Sequence, residues 1–167
     1  GIAMLREFGL TYDILIYPKQ LPAALALVGD FPDQPFVIDH MAKPSIAMWK
    51  KSEFGKAEFE SWKRAMQALA IHPNVCCKVS GMVTEASWGS WTIADFEPYL
   101  AVVLEAFGPQ RLLYGSDWPV ALLSARYEDA FGIVRDYFGQ LSDSERELVF
   151  GGNAKAFYGL SVGRQVE

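Results

Sequence analysis

Arg111-Leu112-Leu113-Tyr114-Gly115-Ser116-Asp117-Trp118-Pro119-Val120 decides how the chain is read. A short apolar run ends in Gly-Ser-Asp and is stopped by Trp-Pro, the pattern of a buried strand bounded by turn residues. Asp117 stands where that strand ends. A carboxylate in such a place is costly unless it is paired, hydrogen-bonded or bound to a metal. The stretch therefore asks what Asp117 faces.

Outward from this strand, the pattern repeats. Residues 11–17 alternate, are rich in β-formers and stop at Pro18. Phe36-Val37-Ile38-Asp39-His40 is another apolar run with a polar end, followed by a loop through Pro44, and residues 75–82 (VCCKVSGM) form a third. Helical patterns lie between them. Residues 1–8 read as the end of a helix stopped by Gly9, and residues 20–28 are rich in Leu and Ala. Residues 56–71 place Phe59, Trp62, Met66 and Leu69 on one face, and residues 95–107 and 127–137 are further helices. Residues 142–150 open with Ser142 and carry Glu145 at the position of a capping box. Gly151-Gly152-Asn153 reads as a turn whose Asn153 caps a last helix through Tyr158. Short buried strands alternating with amphipathic helices predict an α/β fold with a parallel sheet. No composition shift marks a boundary, so residues 1–167 read as one domain.

The chain has 167 residues, 51% hydrophobic and 21% charged, with a formal charge of -5. That suits a packed globular domain. Basic residues are scattered, which argues against nucleic acid as a partner. No apolar run reaches the length of a membrane span. Cys76 and Cys77 are neighbours on a predicted strand and point to opposite faces, which disfavours a bond between them. Reduced thiols of this kind predict a cytoplasmic protein.

In parallel α/β folds, chemistry gathers where strands end. The strand ends here supply Tyr17 and Lys19, then Asp39, His40 and Lys43, then Lys78, Ser80 and Glu85, then Ser116, Asp117 and Trp118. A lone histidine at a strand end is most often held structurally; with Asp117 in an equivalent place, His40 reads as a metal ligand or an acid–base group. Lys78, inside a strand, contacts either a substrate oxyanion or an interior ion pair. Trp88, Trp91 and Trp118 are candidates to line a pocket. His72 precedes a proline at a helix end and reads as surface. The chain has no GxGxxG, GxxxxGK[ST] or GxSxG.

Taken together, these stretches resemble the amidohydrolase-related family. Residues 36–44 resemble its DH-x-x-KP strand and loop, residues 75–81 its K-x-SG strand, residues 113–119 its GSDWP strand, and residues 150–154 its GxNA element. Sugar-lactone and 2-pyrone-4,6-dicarboxylate lactonases are the nearest groups. The resemblance implies a (β/α)8 TIM barrel that hydrolyses a small lactone. Asp117 would be the general base for water, and His40 a metal ligand or carbonyl polariser. Lys43, Lys78, Trp118, Trp88 and Tyr17 would surround the substrate. It implies one divalent metal, zinc, held by His40 and Asp117, or a metal-free site. The family's first-strand H-x-H pair has no counterpart, since the two histidines are His40 and His72. A complete barrel takes about 250 residues. The chain therefore corresponds to a C-terminal half-barrel, strands five to eight, whose open face needs a missing N-terminal half or a second copy. The alternatives are a truncated form serving as a structural or binding domain, and a metal-dependent decarboxylase.

Overall fold

The computed structural model describes residues 1–161. Four parallel strands form one sheet in sequence order: β1 (Tyr12–Ile14), β2 (Phe36–Ile38), β3 (Val75–Val79) and β4 (Leu112–Tyr114). Each crossover carries helix: α2 (Leu21–Asp30), α3 (Glu53–Ala70) and α5 (Ile93–Phe107), while α6 (Tyr127–Tyr137) follows β4. This is the α/β alternation the sequence predicts. A short helix α1 (Ile2–Leu5) precedes it and runs into a 3-10 turn, Arg6–Phe8, that closes at Gly9 in the left-handed conformation.

The register explains the division of the sheet into two faces. Ile14 pairs with Ile38, Ile38 with Cys77, and Cys77 with Leu112. That row is buried in the core with the helices. The alternate row runs through Asp13, Val37 and Cys76, and one step further through Lys78 and Leu113. Charged residues thus stand only on the face away from the helices, which follows from the two-residue period of a strand. Both cysteines are free; Cys77 is buried and Cys76 half-buried.

The helices carry the apolar faces their spacing demands. In α3, Trp62, Met66 and Leu69 are buried, and the Ser52 hydroxyl accepts from Gly55 N at 3.0 Å to cap its start. In α5, Phe96, Tyr99, Leu100, Val103 and Phe107 are buried at helical spacing. Trp62, Tyr99, Phe59 and Trp49 meet in a cluster with ring centroids 5.0–6.2 Å apart.

Several predicted boundaries shift for physical reasons. The first strand stops at Ile14 rather than Tyr17, because β2, its partner, turns away after Ile38. The third stops at Val79, because Gly81 takes φ 64°. Part of the predicted loop after it is a short helix, α4 (Met82–Glu85). The predicted helix 142–150 is instead α7 (Asp143–Glu147), with its Ser142–Glu145 capping box, followed by a wide turn over Leu148–Gly152. Asn153 does not cap the last helix. It is the first residue of α8 (Asn153–Phe157), and its amide donates to the carbonyls of Pro109 at 2.7 Å and Leu112 at 2.8 Å. The final helix is thereby tied to the start of β4.

Candidate active site

The carboxyl ends of β2, β3 and β4 meet at one edge of the sheet. After Ile38 the backbone does not continue as strand. His40, Met41, Ala42 and Lys43 all take positive φ, at 51°, 52°, 59° and 50°. Four consecutive non-glycine residues in the left-handed region are strongly disfavoured by contact between Cβ and backbone oxygen. The turn is held from below. Met41 and Ala42 are fully buried, and the Trp62 indole donates to Met41 O at 2.7 Å. The turn swings the His40 ring back over the end of β3.

There the ring meets Ser80 and Gly81. His40 Nδ1 lies 2.8 Å from Ser80 Oγ. A Cβ on Gly81 would lie 2.7 Å from Nδ1, so only glycine leaves room for the ring. The other ring nitrogen, Nε2, faces Asp117 Oδ1 at 3.7 Å. Asp117 follows β4 in the left-handed conformation, φ 55°. Both side chains are largely shielded, with 19% and 12% exposure. At 3.7 Å the pair is too far apart for a hydrogen bond, so each is free to engage a third atom.

Lys78 is similarly shielded, with its ammonium 2.5 Å from Asp39 Oδ1 and 2.8 Å from Asp13 Oδ2. Asp13 also accepts from the Tyr158 hydroxyl at 2.7 Å. Burial works against the Lys78 charge, but the bonds to Asp13 and Asp39 outweigh it and raise its pKa above the ordinary lysine value. The lysine stem passes over Gly115, where a Cβ would come within 3.6 Å of it. Lys43 pairs with Glu85 at 2.5 Å, with its ammonium 5.7 Å from the centre of the Tyr17 ring. Tyr17, Trp88 and Trp118 are exposed. Trp91 points elsewhere, its indole donating to Ser124 Oγ at 3.2 Å.

The structure thus brings His40 and Asp117 together and sets Lys43 and Lys78 into ion pairs. The sequence reading placed Ser80, Gly81 and Asp13 near no particular partner. The Ser-Gly step after Lys78 was the available signal, because a glycine at a strand end often marks a close approach. Among the described residues, no group of three or more His, Cys, Asp or Glu side chains is gathered to hold a metal.

A parallel βα sheet with a carboxylate and an imidazole at its strand ends matches part of a (β/α)8 barrel, here four of its strands. The chain belongs to the amidohydrolase family, which matches residues 1–160. An L-fucono-1,5-lactonase of Burkholderia multivorans is 38% identical over 165 residues, 96% of this chain and 55% of that protein. An L-fucono-1,5-lactonase of Burkholderia ambifaria is 42% identical over 154 residues, 89% of this chain and 50% of that protein. A crystal structure of a Burkholderia multivorans amidohydrolase with bound zinc matches with a TM-score of 0.88 and 38% identity, over 96% of this chain and 56% of that one. The chain spans about half the length of the curated relatives it matches. No helix among the described residues is long and apolar enough to cross a membrane.

Proposed function

We propose that the protein carrying this chain hydrolyses a small sugar lactone, with Asp117 as general base and His40 as the group that polarises the carbonyl. The observation that carries this reading is the approach of Asp117 Oδ1 to His40 Nε2 from two separate strands, at 3.7 Å, with neither consumed by the other. Water between them would lose a proton to Asp117 as its oxygen attacks the lactone carbonyl carbon. The oxyanion that forms accepts a hydrogen bond from His40. Collapse breaks the ring C–O bond, and the leaving oxygen takes the proton back from Asp117. The product is the open hydroxy acid. The lactonase names of the relatives support the same chemistry.

The charge arrangement favours a neutral lactone over a dicarboxylate. Lys43 is neutralised by Glu85, and Lys78 is shared between Asp13 and Asp39. Neither lysine offers an unpaired cation to an anionic substrate. Tyr17, Trp88 and Trp118, exposed at 52%, 55% and 65%, give faces against which a sugar ring can rest.

A bound zinc would polarise the carbonyl and acidify water. His40 and Asp117 are donors of the right kind, but a catalytic zinc takes about three protein ligands, and the described residues gather no such set. They do not by themselves fit the ion. The face of the sheet bearing Asp13 and Lys78, and the outer edges of β1 and β4, suit completion by further strands. We place this chain as strands five to eight of a barrel, closed by an N-terminal half or a second copy.

Replacing Asp117 with Asn in the complete protein tests the assignment. General-base catalysis contributes roughly 10²–10⁴-fold, so hydrolysis of L-fucono-1,5-lactone should fall by at least about a hundredfold. An unchanged rate would refute the role.

A further inference from the structure

Ser80 is almost fully buried, at 3% exposure, and among the described residues its hydroxyl oxygen has a single hydrogen-bond partner, His40 Nδ1 at 2.8 Å. A serine hydroxyl carries one proton and can also accept. Two arrangements fit the distance. If Nδ1 carried the proton, Ser80 would accept it, and the hydroxyl proton would be left buried with no acceptor. Such an orphaned donor costs roughly 1–3 kcal/mol. If Ser80 donates, Nδ1 accepts, the buried hydroxyl proton has its acceptor, and the proton of the neutral imidazole must sit on Nε2. The other end of the ring agrees, since the Asp117 carboxylate lies 3.7 Å from Nε2 and attracts an N–H there. Gly81 supports the same orientation, because the ring lies where a Cβ would be and cannot swing toward it.

We propose that Ser80 is a positioning residue that fixes His40 in its Nε2–H tautomer, so that the neutral imidazole enters the site as a hydrogen-bond donor. This rests on the reading of His40 given above and deepens it. It makes Asp117 the only base of the pair, and it gives Ser80 a task that neither its burial nor its place just past β3 reveals. No proton is moved by Ser80 during the reaction; it acts through the ring it holds.

Nitrogen-15 spectra of histidine-labelled, chelator-treated protein test this directly. They should be recorded about two pH units above the ordinary imidazole value of ~6.5. The His40 resonances are identified by their loss in His40→Gln. The expected result is a protonated Nε2 and a bare Nδ1. Ser80→Ala should mix the two tautomers and lower kcat about tenfold or more with little change in KM. Ser80→Thr, which keeps the hydroxyl, should restore the Nε2–H pattern and most of kcat. A wild-type spectrum with the proton on Nδ1 overturns the proposal, as does a Ser80→Ala spectrum identical to wild type. If Ser80→Ala does not fold, the wild-type spectrum still decides. The spectrum needs no substrate, so a correct tautomer without lactone hydrolysis would count against the proposed function and not against the role of Ser80.

Discussion

His40 is held by its neighbours' shapes as much as by its bonds. Its own φ of 51° and the left-handed residues through Lys43 cost about 1–2 kcal/mol each by steric contact. Strain of this size persists only where surrounding packing over-determines it, and it concentrates at functional sites. Gly81 is the residue most exposed to test. A Cβ there meets the imidazole at 2.7 Å, and the φ of 64° disfavours any L side chain. Gly81→Ala should destabilise the fold by roughly 1–3 kcal/mol and displace the ring. Urea unfolding and lactone hydrolysis measured together should show activity falling further than stability explains. Asp117 and His40 were legible in the sequence because each ends an apolar run. The left-handed turn was not, since nothing in His-Met-Ala-Lys announces positive φ. It exists because Trp62 and the end of β3 impose it. Lys78 was legible as an anomaly, a lysine inside a strand. Its resolution required Asp13, 65 positions away, which only the parallel register brings alongside.

Helix α3 supports the site without touching it. Its Trp62 is 1% exposed, and its indole N–H satisfies the buried carbonyl of Met41. Trp62→Phe keeps most of the apolar volume but orphans that carbonyl, which costs about 1–3 kcal/mol. Trp49→Phe is the control, because Trp49 sits in the same aromatic cluster and is only partly buried. The denaturant midpoint should fall clearly for Trp62→Phe and much less for Trp49→Phe. The helices themselves were readable from their apolar spacing, and α3 and α5 lie close to where that spacing puts them. The element ends were less readable. β1 ends where its partner departs, a fact about β2 that residues 11–17 do not contain.

At the scale of the molecule, the titrating groups give stability a direction on the alkaline side. Burial pushes the Tyr114 and Tyr158 hydroxyls up to about 12 from an ordinary 10.0. Burial also raises Cys76 above its ordinary 9.0, and Arg111 only partly offsets this. The folded state holds these protons where the unfolded chain would release them. Their contribution is complete below about pH 9 and is lost as pH rises toward 12. Thermal unfolding followed from neutral pH upward should give a flat midpoint to about pH 9, then a steady fall. The parallel α/β class was readable at this scale from alternation alone. The division of the sheet into a charged face and a covered face was not, because it depends on register.

The bond between Trp62 and Met41 also gives the protein an internal light source at its site. The Trp62 indole is enclosed at 1% exposure, whereas Trp88 and Trp118 stand at 55% and 65%. Emission from the enclosed ring comes from dry surroundings at short wavelength and is out of reach of dissolved quenchers. Emission from Trp88 and Trp118 comes from water at longer wavelength and is quenched readily. Trp49 and Trp91 are partly buried and emit between these extremes, so the bluest and least quenched component reports from beneath the turn that carries His40, and the reddest from the exposed rings.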